Sequence, residues 1–381
     1  MKNAISALIT FIVISAYFPQ VVAQTEPDGG QPAVGAKPSV EDLEAQVAYQ
    51  RAFEAVVWAM PATSIYRFRQ GAFKAYGITD NDVIAFSKPA TARAELLTAN
   101  NVTPYIVAFT DLSKGPVVVE IPAKTDKAVL YGQIVDAWQV TIADVGPSGE
   151  DKGAGGKYLL VTPGYKEPIP PGYIPIQSES YRIAFAFRSI PLPGATDADA
   201  YAYAKTLKMY PLSEGANPKP TRFVDGSTER LSTLPFYDIR SFEDLYNVVS
   251  VEPIRERDKV MMGMLASIGV EPGKSFNPDA KVKAAMERAV VDAYFYMQKR
   301  RAALVTAQAY WPDRHWGDAL LTDAARGFEY VTANAVNMDQ RADMFFPGTF
   351  YPKEMPKQPA TAYLRAGADK DGHPLEAGKK L

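Results

Sequence analysis

The first rhythm along the chain is an apolar run from Ala4 to Phe18, behind the single charge of Lys2 and ahead of Pro19-Gln20, which is the layout of a secretory signal. Val21-Val22-Ala23 places small or short-branched residues where a cut after Ala23 needs them. An uncleaved anchor is the alternative, because a span takes roughly 20 apolar residues; the short apolar core favours cleavage. Residues 24–38 mix Gly and Pro with few large side chains and read as a flexible linker. Ser39, with Glu41, Asp42 and Glu44 behind it, then starts a helix. Leu43, Val47, Phe53, Val56 and Val57 follow at near-helical spacing through Met60, and Pro61 is expected to end it. A second amphipathic piece is expected to follow as far as Tyr76-Gly77.

From about residue 84 to 190 the rhythm shortens to apolar runs punctuated by Pro, Gly, Asn and Asp, the pattern of strands and turns. Strands are predicted at Tyr105 to Thr110, Val117 to Ile121, Val129 to Ile134, Trp138 to Ile142, Lys157 to Thr162 and Tyr181 to Phe187. In the last, Tyr181, Ile183, Phe185 and Phe187 alternate with Arg182, Ala184, Ala186 and Arg188, which predicts one buried and one wet face. Strands without intervening helices favour an antiparallel β-sandwich. Helical spacing returns after Pro193. Thr196-Asp197 caps a stretch to Met209, Ser241 caps one from Phe242 to Val249, residues 255–268 form another ended by Gly269, and Asn277-Pro278-Asp279 opens a helix running to about Gln308. Val282, Met286, Ala289, Val290, Ala293, Tyr294 and Met297 form its apolar stripe, which reads as core. Thr361 to Leu375 should run extended into an Asp371-Gly372 hairpin turn with a return strand from Glu376 to Leu381.

Composition narrows the function. With 41 Lys+Arg against 43 Asp+Glu, the net charge of -2 gives no electrostatic footprint for nucleic acid or an acidic membrane. The absence of cysteine excludes disulfides, thiolate metal sites and lipoprotein attachment. Export with cleavage leaves no integral membrane span and places the protein in the periplasm or outside the cell.

The motifs Asp136-Ala-Trp138-Gln, Asp144-Val-Gly146, Asp151-Lys152-Gly153-Ala-Gly155-Gly156-Lys157-Tyr158-Leu159 and Pro163-Gly164-Tyr165 together resemble domain of unknown function 1254. The likeness extends upstream through Asn101 to Tyr105 and Gly115 to Pro122, and downstream to Tyr181 and Arg188, covering about residues 60–190; Thr162 departs from the family's usual proline. Trp311-Pro-Asp-Arg314-His315-Trp316 through Met344-Phe345-Phe346 to Asp371-Gly372 is similar to the start of a companion, domain of unknown function 1214, whose members continue beyond residue 381. The resemblance implies exported proteins built on jelly-roll-like sandwiches and supplies no activity. The expected fold class is α+β. A signal peptide at 1–23 and a linker at 24–38 precede a jelly-roll-like β-sandwich at 39–225, a mainly helical region at 226–345 and a shortened β segment at 346–381.

The Gly-rich stretch from Gly149 to Lys157 fails the phosphate-loop pattern at Asp151 and Tyr158 and leads into a strand, so an inter-strand turn is expected. A functional reading of the same region gathers Asp136, Asp144, Glu150 and Asp151 around Trp138, Tyr158 and Tyr165, as sugar binding or glycoside hydrolysis would require. Asp136, Asp144 and Asp151 are then the candidate acids and bases, and Trp138, Lys152, Lys157, Tyr158, Tyr165 and Arg188 the candidate ligand contacts. His315 and His373 stand alone in sequence, and neither Asp369-Lys-Asp371-Gly372 nor Asp197-Ala-Asp199 completes a calcium loop; no metal and no cofactor is expected. The reading favoured is a binding or interaction module for an envelope or extracellular ligand such as a glycan. The alternatives are a glycan-active enzyme and a homo-oligomeric scaffold.

Overall fold

The computed structural model describes residues 37–96, 100–307, 311, 313–318, 330–346 and 364–375. The signal sequence, most of the linker and the return strand expected at 376–381 lie outside them.

Helix α1 (Leu43–Tyr76) runs 34 residues without stopping at Pro61. Proline has no N–H to give the preceding turn, yet the buried surroundings hold the helix together across it. The Gln139 side-chain amide donates to the Pro61 carbonyl at 2.7 Å, and the Thr63 hydroxyl donates to the Ala59 carbonyl at 3.2 Å. The helix ends where Gly77, at φ 56°, donates its N–H to the Phe73 carbonyl. Its halves face different neighbours. Ala52, Val56 and Trp58 join a core made with other helices, while Phe68, Ala72 and Tyr76 join one made with strands.

The strands that follow are β1 (Val83–Ala85), β2 (Ala94–Glu95), β3 (Tyr105–Asp111), β4 (Val117–Ile121), β5 (Ala128–Val135), β6 (Thr141–Val145), β7 (Gly156–Val161), β8 (Tyr173–Gln177) and β9 (Arg182–Pro191). After α2 (Asp197–Ala204) come β10 (Lys208–Pro211), β11 (Phe223–Asp225) and β12 (Leu231–Ser232). They build a six-stranded sheet ordered β11-β1-β3-β9-β5-β6 and a four-stranded sheet ordered β10-β4-β7-β8. Most neighbours are antiparallel, but β1 with β11, β7 with β8 and β2 with β12 are parallel. One apolar core lies between the sheets, filled by Ile106, Leu130 and Phe185 from the larger and Val119, Tyr158 and Ile176 from the smaller.

Two strand expectations need correction. Trp138 lies in the turn between β5 and β6, not in a strand, because Gln139 adopts φ 58° and β6 begins only at Thr141. On β9, Ile183, Phe185 and Phe187 do point into the inter-sheet core, but the opposite face is wet only in part: Arg182, Ala186 and Arg188 keep intermediate exposure, while Ala184 packs into the core that α1 shares. Ala184 is buried there beside Val107 and Phe109, and the Phe109 ring meets Phe68 of α1 edge-on at 5.4 Å.

Thr196 and Asp199 form a reciprocal capping box at the start of α2. The helix ends at Ala204 and not at Met209, which lies in β10 paired with Val119. Helix α3 (Arg240–Val249) is led in by Asp238, whose carboxylate accepts the Arg240 N–H at 3.0 Å; the expected cap, Ser241, is inside the helix. Then come α4 (Lys259–Ala266), followed by Gly269 at φ 85°, and α5 (Ala280–Ala307), where Asp279 accepts the Val282 N–H at 2.9 Å. Met286, Ala289, Val290, Ala293 and Met297 of α5 are fully buried against α1, as the stripe predicted. β13 (Trp316–Asp318), α6 (Met338–Phe345) and β14 (Leu364–Ala366) complete the described elements. β14 pairs antiparallel with β13. The Asp371-Gly372 turn forms, with the Asp369 N–H on the His373 carbonyl at 2.8 Å. Among the described residues, no helix is long and apolar enough to cross a membrane.

Candidate functional site

The turn between β5 and β6 is organised by Asp136. Its Oδ1 accepts the Trp138 N–H at 2.8 Å and the Val140 N–H at 2.9 Å, a short-range carboxylate-to-amide pattern that stabilises a tight turn. The turn carries the Trp138 ring onto Trp58 of α1, with centroids 4.7 Å apart. Asp136 is itself only 2% exposed, and its Oδ2 accepts from the guanidinium of Arg255. An ionised carboxylate so placed requires such a partner, since an unpaired buried charge is strongly unfavourable.

Arg255 belongs to a run, Arg255-Glu256-Arg257-Asp258, that enters α4. Asp258 is buried and accepts the Trp58 indole N–H at 3.2 Å, with Arg257 Nε at 3.8 Å from its other oxygen. From α6, the fully buried Arg341 donates to the Trp58 carbonyl at 2.8 Å and lies 5.9 Å from the Trp138 ring. Arg255 and Arg257 also open outward. With the Pro163-Gly164-Tyr165-Lys166 loop after β7 and Glu179 after β8, they border an open cleft of about 770 Å³. This volume is within the roughly 300–1,000 Å³ of small-molecule sites.

Behind the hairpin turn, a cavity of about 20 Å³ is walled by Tyr66, Arg69, Asp136, Arg182 and Glu252, room for a single water. Glu252 accepts the Tyr181 N–H at 2.7 Å and the Arg182 N–H at 3.2 Å. Burial pushes its carboxyl up to about 7 despite those bonds, and the Asp136 charge adds to the rise. Burial likewise raises Asp244 to about 6, against the opposing pull of Arg67 at 3.5 Å.

Of the residues singled out from sequence, only Tyr165 borders the cleft itself; Asp136 and Trp138 stand behind it. Asp151 lies beyond the far end of β6, about 17 Å along that strand from the turn at ~3.3 Å per residue. Its carboxylate accepts the Gly146 N–H at 2.7 Å, the Tyr158 hydroxyl at 2.6 Å and the Gly155 N–H at 3.3 Å, which locks the Gly-rich loop. Burial and that bond to Asp151 raise the Tyr158 hydroxyl well above its ordinary range. In the same loop Ala154 N–H meets the Asp151 carbonyl at 2.7 Å, and a Cβ on Gly155 would come within 2.6 Å of the Ala123 nitrogen. The loop therefore closes on its own backbone as a turn, with Lys152 exposed at φ 47°. Asp144 lies on β6 facing the Gln133 amide at 3.1 Å. Lys157 pairs with Glu120 at 3.3 Å on β4, and Arg188 stacks on Tyr105 at 4.2 Å. The structure thus distributes the three aspartates along one hairpin and beyond it, without gathering them in one cleft.

The histidines do not stand alone in space. A Cβ on Gly372 would lie 3.5 Å from the His315 ring, and Asp369, Asp371 and His373 bring ligand-capable atoms within 4.8 Å of one another. Asp369 Oδ1 there accepts the Asp371 and His373 N–H groups, both at 2.9 Å, in the manner of the expected turn. Arg255, Arg257, Arg341 and Glu252 escaped the sequence reading. The alternating signs of residues 255–258 ahead of an apolar helix were the available signal for the first two; nothing local marked the others.

No curated protein matches this chain. The crystal structure of the VPA0106 protein from Vibrio parahaemolyticus is similar to it in fold, with a TM-score of 0.55 at 17% identity over 80% of this chain and 68% of that one. Residues 81–211, which hold β1 through β10, match the model of the family described as Protein of unknown function (DUF1254), so the resemblance read from the Asp136, Asp151 and Pro163-Gly164-Tyr165 motifs stands, with its span shifted toward α2 and β10.

Proposed function

We propose that this chain is an exported cell-envelope protein, periplasmic or secreted, that works as a binding module and takes its ligand in the cleft bordered by Tyr165, Lys166, Arg255 and Arg257. The observation that carries this reading is the pairing of an open, ligand-sized cleft with a rigid floor, in which Arg255 is held by Asp136 and Asp136 by two backbone amides. Such fixed polar groups at the base of a concave site are what selective recognition needs. The carboxylate arrangement supports binding over glycoside hydrolysis, which takes two carboxyl groups roughly 5–10 Å apart across one sugar site. In this reading the two-sheet stack is a jelly-roll-like sandwich, the apolar run before Ala23 is a cleaved export signal, and the segment from Trp311 onward is the start of the companion domain.

The test is a glycan and lipid binding screen of the chain beside its Tyr165→Ala variant. The expected outcome is a retained ligand that Tyr165→Ala binds at least tenfold more weakly, with thermal unfolding of both proteins alike. A ligand held equally by both would place recognition elsewhere.

A further inference from the structure

We propose that the turn from Asp369 to His373, together with His315, is a binding site for a divalent transition metal, Zn²⁺ by its donor set. The chain has 2 histidines in 381 residues, and the fold brings both to this one turn from distant segments. β13 pairs with β14 so that Trp316 lies opposite Ala366. Beyond β14 the chain enters a hairpin closed by the Leu375 N–H on the Gly367 carbonyl at 2.9 Å and by the Asp369 N–H on the His373 carbonyl at 2.8 Å. His315, the residue before β13, is thereby carried alongside the turn. Its Cε1 and Nε2 lie 3.5 and 3.6 Å from the position a Cβ would take on Gly372. The imidazole thus faces the bare backbone between Asp371 and His373, where Gly372 holds φ 85°.

The donor atoms are already gathered. Asp369, Asp371 and His373 each offer one ligand atom within 4.8 Å of the others. Donors bound to one Zn²⁺ at about 2.0–2.2 Å stand roughly 3.3–3.6 Å apart in a tetrahedron. Asp369 Oδ2 and His373 Nδ1 are 3.3 Å apart, long for a charge-assisted hydrogen bond of about 2.7–2.9 Å. The other Asp369 oxygen accepts two amides, both at 2.9 Å, which fixes the carboxylate with Oδ2 toward the imidazole. The His373 amide first, and the Asp371 amide after it, hold the Asp369 carboxyl below its ordinary value, in the ionised form that a metal takes. Two carboxylates on a turn favour hard cations such as Ca²⁺; imidazole nitrogens beside them turn the preference to a borderline metal. Lys370 Nζ lies 2.8 Å from both Asp371 oxygens, and its side chain is 86% exposed. An exposed pair of this kind contributes little and yields to a divalent ion. The ion would have a structural effect here. β13 and β14 are three residues each, a ribbon that is marginal by itself. In a chain without cysteine, Zn²⁺ would fasten the start of β13 to the hairpin after β14.

Calorimetric titration of the chelator-treated intact chain with zinc sulfate, and separately with calcium and magnesium chloride, tests this. One Zn²⁺ per chain is expected, with Ca²⁺ and Mg²⁺ bound at least a hundredfold more weakly. His373→Ala, His315→Ala and Asp371→Asn should each weaken Zn²⁺ at least tenfold, while Lys370→Ala tightens it. These four side chains are exposed, so the metal-free variants should unfold at the temperature of the parent chain. Added Zn²⁺ should raise that temperature in the parent and in Lys370→Ala, and much less in the other three. Zn²⁺ binding untouched by His315→Ala would overturn the two-histidine site, and binding untouched by all the substitutions would place the ion elsewhere. A preference for Ca²⁺ would reduce the turn to its carboxylates and sink the proposal, as would the absence of Zn²⁺ uptake.

Discussion

The core between the two sheets and the core around α1, α5 and α6 solve burial differently. The first is assembled mainly from aliphatic and aromatic side chains of the two facing sheets, Phe185, Phe187 and Tyr158 among them. The second packs Trp58, Met286 and Met297 around charges, Arg341, Asp258 and Asp343 all being buried. There Asp343 is held from two sides, by Arg300 at 2.8 Å and, through its carbonyl, by Arg301 at 3.3 Å. Apolar burial tolerates changes of pH and salt; a buried ionic web depends on each partner and on its proton. The inter-sheet core thus depends little on charge, and the helical side depends on its charged partners staying paired.

Three experiments would break or sharpen that contrast. The largest effect is expected from Phe185→Ala, which opens a cavity between the sheets and should lower the unfolding free energy by about 4 kcal/mol. Urea denaturation should give the same loss at pH 5 and pH 8; a loss that varies with pH would tie this core to the charges next door. Asp136→Ala should follow at about 3 kcal/mol, because it removes the buried carboxylate that Arg255 and two turn amides bind. Asp136→Asn is expected to recover part of that loss through the amides, and if both variants unfold like the parent chain, the web is not structural.

The smallest effect concerns protons. Glu252 at about 7 and Asp244 at about 6 lie above their ordinary values of 4.5 and 3.8, so the folded state binds these protons more tightly than the unfolded chain. Their stabilising contribution is complete below about pH 4 and is lost as pH rises through 6 to 7, which for Glu252 is on the order of 3 kcal/mol. Stability should therefore fall between pH 5 and pH 8, with a shallower slope in Glu252→Gln. A rise over that window would show that paired, low-lying carboxylates dominate instead.

The sandwich was legible because short apolar runs bounded by turn residues mark strands: β4 has the predicted bounds, and β3, β5, β7 and β9 differ from prediction by a few residues at most. The stripe of α5 was legible for the same reason at helical spacing. Pro61 misled because proline's local penalty was outweighed by a tertiary bond from Gln139, helped by the Thr63 hydroxyl within the helix itself. Trp138 misled because a turn residue that reaches into another core has the composition of a strand residue. The cleft was the least legible part. Arg255, Arg257 and Arg341 are hydrophilic by every local measure, and only the convergence of two loops and α6 on one tryptophan pair shows that they are enclosed. Tyr165, conspicuous beside Pro-Gly, does border the cleft, whereas Asp136 drew notice as an acid and caps a turn.

The long helix that opens the fold has a consequence for what counts as a unit. Residues 81–211, the stretch matching the family model, begin after α1 has ended. Yet Phe68, Ala72 and Tyr76 of that helix roof the sheet whose outer face presents Ile84, Phe86, Val107 and Phe109. Excised by its family boundaries, the stretch would present a greasy plane to water and clump. The inheritable piece is therefore larger than the recognisable one, and a gene fusion that carried the strands without the preceding 34-residue spine would deliver an incomplete part.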